Sequence, residues 1–97
     1  MRSLLSQNPG HSYSDNAQYW IAESYYGKKD FNKAILEFQK VFAYNETDKH
    51  DDAQLMIGLA YLKMGQRQRA HSAFGEFLQT YRTSEYAHIA RRYYQNI

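Results

Sequence analysis

The chain has no cysteine, one proline and five glycines, and no long apolar run. Without cysteine there is no disulfide framework, no thiolate nucleophile and no cysteine-ligated zinc. A single proline leaves helices uninterrupted, and so few glycines suit short turns rather than flexible linkers. Nothing approaches the roughly 18 consecutive apolar residues of a spanning helix, so direct membrane insertion is not expected. No basic start followed by an apolar block reads as a signal peptide. Charge of one sign is scarce too: 12 Lys and Arg stand against 10 Asp and Glu, a formal net charge of +2. A nucleic-acid binder would show a concentrated basic excess, so no nucleic-acid partner is expected. What is abundant is tyrosine, ten in 97 residues. A chain of that length builds one domain around one modest core.

The sequence repeats itself at a shift of 36 residues. Ala17 falls on Ala53, Ala22 on Gly58, Tyr25 on Tyr61, Ala34 on Ala70, Phe38 on Phe74 and Val41 on Phe77. Small residues meet small ones, and aromatic or apolar residues meet their own class. Met1, Leu4 and Leu5 carry the spacing of Phe38, Val41 and Phe42, while Ala90, Tyr93 and Tyr94 carry that of Ala17, Trp20 and Ile21. The pattern thus opens in the last helix of one unit and closes in the first helix of another. Apolar residues recur at i, i+3, i+4, i+7 and never alternate strand-fashion, which predicts helices over about 14–27, 31–44, 49–64, 67–81 and 84–97, with a stub at 1–6. Asp30 is placed to cap the second of these, Gly65 to close the third and Ser84 to cap the last. The expected fold is all-α. One domain over 1–97 divides into a trailing half-repeat at 1–8, repeats at 14–46 and 48–82, and a closing helix at 84–97.

These residues resemble the tetratricopeptide repeat, whose signature reads twice: Ile21-Ala22, Tyr25, Ala34, Phe38, then Ile57-Gly58, Tyr61, Ala70, Phe74. The resemblance implies antiparallel helix pairs stacked into a right-handed superhelix with a concave inner wall. There are departures. Gln18 and Gln54 replace the large aromatic usual near the start of each first helix, and Lys29 stands where the second repeat has Gly65. The closing proline survives only as Pro9, with Asn45 or Glu46 and Arg82 in the other two slots. A narrower similarity, carried by Asn8-Pro9, Asn16 through Trp20, and Tyr25-Tyr26, is to the C-terminal domain of the periplasmic Tol-Pal system coordinator of Gram-negative bacteria. That similarity implies a periplasmic adaptor linking the Tol machinery to envelope constriction during cell division. The outer-membrane assembly lipoprotein with the same repeats is similar to a lesser degree.

Catalysis needs a nucleophile, a base and an orienting group converging on one pocket. The four histidines, His11, His50, His71 and His88, share no spacing. His50 has no nitrogen or carboxylate partner at i+4, so Asp51 and Asp52 are read as first-turn carboxylates facing a helix dipole. The chain is not expected to be an enzyme or to take a cofactor or metal. Trp20 and Tyr93 are expected where successive helix pairs meet. In the family the first helix of each repeat lines the inner wall, which here carries Tyr19, Glu23 and Tyr26, then Leu55, Leu59, Leu62 and Lys63, then Arg92. Chaperone-tail clamps use Lys and Asn on this wall; Tyr19 and Glu23 occupy those slots, and the clamp is missing. An apolar strip there marks a groove for a protein partner, a peptide or a helix, with a Tol-system component as the narrower expectation. The alternative is that a neighbouring repeat or a second copy of the chain covers the leucines, with Leu4, Leu5, Ile89, Tyr93 and Ile97 at the open ends. Residues 49–97 hold seven basic and four acidic residues, which reads either as a solvated face or as a dock for an acidic segment.

Overall fold

A computed structural model describes residues 12–45 and 47–97. The stub at 1–6, the half-repeat at 1–8, Asn8-Pro9 and Glu46 lie outside the described residues. The described chain is all-α. Five helices follow in order: α1 (Ser12–Gly27), α2 (Phe31–Val41), α3 (His50–Lys63), α4 (Arg67–Thr80) and α5 (Ala87–Asn96). Each packs chiefly on its neighbours in the chain, the arrangement of a stacked array.

The turn from α1 to α2 closes with two bonds, Lys29 N–H to Tyr26 O at 3.0 Å and Asp30 N–H to Tyr25 O at 2.9 Å. The turn from α3 to α4 repeats them: Gly65 N–H to Leu62 O and Gln66 N–H to Tyr61 O, both at 2.9 Å. This closure needs a left-handed residue, and Gly65 supplies it at φ +77. Lys29 adopts the same conformation at φ +67, where a side chain is disfavoured. Asp30 accepts the Lys33 N–H at 3.4 Å, capping α2.

Two hydrophobic clusters follow from the repeat. Tyr19, Ala22, Ala34, Ile35, Phe38, Val41, Ala53, Ile57 and Ala60 build the first, across α1, α2 and α3, with Ala73 of α4 joining it. Leu55, Ala70, Phe74, Phe77, Ala87 and Ala90 build the second, across α3, α4 and α5. Helix α3 belongs to both, so it is buried on more than one face, whereas α2 buries a single stripe at Ala34, Ile35, Phe38 and Val41. Gly58 lets Phe74 lie close against α3.

The two glutamines that depart from the repeat pattern have a shared role. Gln18 Nε2 donates to the Glu37 carbonyl at 2.8 Å and to Glu37 Oε1 at 2.8 Å. One unit later Gln54 Nε2 donates to the Ala73 carbonyl at 2.9 Å. Both side chains are buried. Each ties the two helices of its pair together by a hydrogen bond that an aromatic ring would not make.

Successive pairs are joined by a latch that also recurs. Thr47 Oγ1 donates to Asp15 Oδ2 and accepts the Lys49 N–H at 3.1 Å. Ser84 Oγ donates to Asp51 Oδ2 at 2.6 Å and accepts the Tyr86 N–H at 3.0 Å. Ser84 therefore caps the turn leading into α5, which itself starts at Ala87. Asp51 holds that hydroxyl, a role more specific than a dipole carboxylate.

Candidate functional site

The first helices of the units, α1, α3 and α5, share one side of the molecule, and their polar groups converge there. Tyr19 donates its hydroxyl to Glu23 Oε2 at 2.7 Å. Lys49 Nζ lies 5.3 Å from the centre of the Tyr19 ring and 4.0 Å from Asp52 Oδ2. Tyr86 of the α5 approach lies close enough to Asp52 for the two groups to influence each other's titration. Burial, then the hydrogen bond and charge of Glu23, hold the Tyr19 phenol above the ordinary tyrosine range. Burial also raises the Tyr26 phenol, with Glu23 and Tyr93 adding to it. Burial raises the Asp52 carboxyl as well. The Tyr86 phenol is pushed up to about 12, first by its hydrogen bond to Asp52 and then by that carboxylate's charge. At neutral pH the wall therefore presents neutral phenols among a few charges.

The wall residues read from the sequence divide into two groups. Tyr19 is 8% exposed and Leu55 is 8% exposed. Tyr19 closes the first cluster against Phe38, at 5.5 Å between rings. Leu55 sits in the second cluster with Ala87 and Ala90 of α5. The expectation that Leu55 forms an exposed strip is corrected: the small alanines of α5 bring the next helix directly over it. Leu59 and Leu62 also pack on that cluster but stay half-exposed. Glu23 and Tyr26 are half-buried, and Lys63 and Arg92 are exposed.

Ile89, Tyr93 and Ile97 pack on the second cluster, with Tyr93 stacked on Phe74 at 5.1 Å, and all three stay partly exposed. The exposed residues of α5 are His88, Arg91, Arg92, Tyr94, Gln95 and Asn96. Trp20, expected at a junction between pairs, is 59% exposed and meets Tyr19 edge-on at 5.3 Å. His71 stacks on Tyr94 at 4.1 Å, and His50 Nε2 lies 2.6 Å from the Tyr44 carbonyl.

Sequence reasoning missed Lys49, Asp52 and Tyr86 as wall residues. The signal for Asp52 was present: with Leu55, Leu59 and Leu62 it continues a single helical stripe. Two recesses open on the surface. One, about 420 Å³, opens beside the wall between Tyr26, Gly27, Lys29, Phe31 and Lys63. The other, about 530 Å³, lies between α2 and α4 with Gln54, Ile57 and Tyr61 of α3 contributing. Among the described residues no three His, Asp or Glu side chains group as metal ligands, and no helix is long and apolar enough to cross a membrane.

Residues 16–45 and 52–84 match the family described as Tetratricopeptide repeat, well over half of the chain. No curated protein matches the chain. The matched segments hold both closing turns, both interhelical glutamines and the wall residues of α1 and α3.

Proposed function

Because the chain belongs to the tetratricopeptide repeat family, whose repeats generally mediate protein–protein interaction and typically act as non-enzymatic scaffolds, we propose that its partner lies along the α1–α3–α5 wall. The partner is a peptide or a helix. The observation that carries this reading is the convergence of Glu23, Tyr26, Asp52, Leu59, Lys63 and Tyr86 on one side, all at least partly exposed. Half-buried tyrosines offer large, stiff contact area with a polar tip, a composition suited to recognition. Placing a photo-crosslinking phenylalanine analogue at Tyr26 or Leu59 should capture the partner. The same analogue at exposed Gln79 on α4 should not. Equal capture at all three positions would remove the wall from consideration.

The finer reading is a periplasmic adaptor of the Tol-Pal and cell-division system. It is supported by the resemblance carried by Asn8-Pro9, Asn16 through Trp20, and Tyr25-Tyr26. Purified periplasmic domains of Tol-system proteins should bind the immobilised chain, and a wall substitution such as Leu59→Asp should abolish that binding. Failure of every Tol domain to bind would discard the adaptor reading while leaving the wall untouched.

A further inference from the structure

The turn between α1 and α2 holds an unexplained feature. Its left-handed position carries Lys29 at φ +67, whereas the equivalent position one unit later carries Gly65 at φ +77. The two turns close with the same pair of backbone bonds, so glycine would serve the fold equally well. Strained backbone retained where an unstrained residue fits points to a use for the side chain. Lys29 lines the recess of about 420 Å³ together with Tyr26, Gly27, Phe31 and Lys63. Tyr26 and Phe31 meet edge to face with ring centres 5.3 Å apart. Among the described residues no carboxylate lies within salt-bridge distance of Lys29 or Lys63.

The surroundings are cationic. Lys28 and Lys33 lie over the Tyr25 ring at 5.6 and 5.5 Å. The one acid in the turn, Asp30, is engaged at the Lys33 backbone N–H. Glu23, an acid on the wall side, accepts the Tyr19 hydroxyl. Two unpaired ammonium groups thus flank an aromatic recess. We propose that this recess receives an apolar side chain from an acidic segment of the partner protein, with carboxylates on either side of that side chain meeting Lys29 and Lys63. The proposal rests on the wall reading above and gives it a register, since the recess adjoins the wall at Tyr26 and Lys63.

The test uses a fluorescein-labelled peptide with one leucine flanked on each side by two glutamates, titrated against the full chain at low ionic strength. Binding should weaken by about fivefold for Lys63→Gln and by about as much for Lys29→Gly. Lys29→Gly should also raise the melting temperature, which separates loss of a contact from loss of fold. Replacing the peptide leucine by serine should weaken binding further, and a lysine-flanked version should not bind. Equal binding by Lys29→Gly and wild type, or equal binding of the leucine and serine peptides, overturns the proposal. So does absence of binding to wild type at millimolar peptide. If amide shifts gather along Asp52, Leu59 and Tyr86 instead of Tyr26 and Phe31, the recess is discarded and the wall stands. If the crosslinking experiment fails as well, the wall falls with it.

Discussion

Substituting Gly58 by alanine sets two opposing effects against each other at one position. In the interior of α3, alanine is favoured over glycine by about 0.8–1.0 kcal/mol. The added Cβ, however, would stand 2.7 Å from Phe74 Cε1 and 2.8 Å from Cζ. Phe74 is fully buried and stacked on Tyr93, so its ring cannot withdraw without displacing α5. Forcing a methyl into such a contact costs about 1–3 kcal/mol. The overpacking wins, and the expected net loss is about 1 kcal/mol. For a domain of this size that lowers Tm by roughly 4–8 °C. Thermal melts followed by circular dichroism, with urea unfolding in parallel, measure it directly. Adding Phe74→Leu should partly rescue Gly58→Ala, giving a double variant more stable than the sum of the two single losses. The equivalent position in the first unit already carries the methyl, as Ala22, buried in the same cluster as Phe38. There the reverse change, Ala22→Gly, should be the destabilising one. If Gly58→Ala instead stabilises by the propensity gain alone, the close approach of Phe74 is not what fixes glycine at that site.

The remaining expectations are simpler to state. Leu55→Asp should unfold the second unit, because burying an unpaired carboxylate and losing the leucine exceeds the few kcal/mol such a domain has in hand; a well-folded variant by circular dichroism would return Leu55 to the exposed wall. Gln54→Ala should lose about 1–2 kcal/mol through the lost interhelical hydrogen bond and the space left behind, read as a lower urea midpoint. Lys29→Gly should gain about 0.5 kcal/mol, since relief of the left-handed strain exceeds the added freedom of the unfolded chain. The Tyr86 phenol has its pKa raised from 10.0 to about 12, so its contribution is fully present below pH 10 and is lost as pH rises through 12. Asp52→Asn should flatten that alkaline decline in urea midpoint; an unchanged slope would remove Asp52 as the cause.

The repeat made most of the fold legible in advance. Small residues at 22, 34, 58 and 70 and aromatics at 38 and 74 fixed which helix faces meet, and the five helices start and stop within a few residues of the expected positions. Two boundaries depart by three residues: α2 stops at Val41, and α5 begins at Ala87 because Ser84 and Tyr86 form a capped turn before it. The candidate site was legible only as a stripe. Helical spacing places Leu55 and Leu59 on the same side of α3, but it does not say how far the next helix reaches. Ala87 and Ala90 let α5 approach closely enough to bury the first and leave the second half-exposed. The same limit applies to Tyr19. Gln18 and Gln54 looked like blemishes in the pattern because a hydrogen bond to a carbonyl on the partner helix leaves no trace in periodicity. Their separation by 36 residues, the repeat length itself, was the clue.

The hydroxyl latches between units bear on how the array responds to force. Each hydroxyl sits between a carboxylate on one helix pair and a backbone N–H on the next, so bending the junction strains two bonds at once. Within a pair, the glutamine bond resists sliding of the two helices. A stack hinged only by apolar contact would flex like a loose spring as side chains slide past one another. With a directional polar tie at each described junction, bond geometry restrains the pitch. A partner seated on the proposed wall would then meet a curvature already restrained, and its binding energy would go into contact rather than into bending the array.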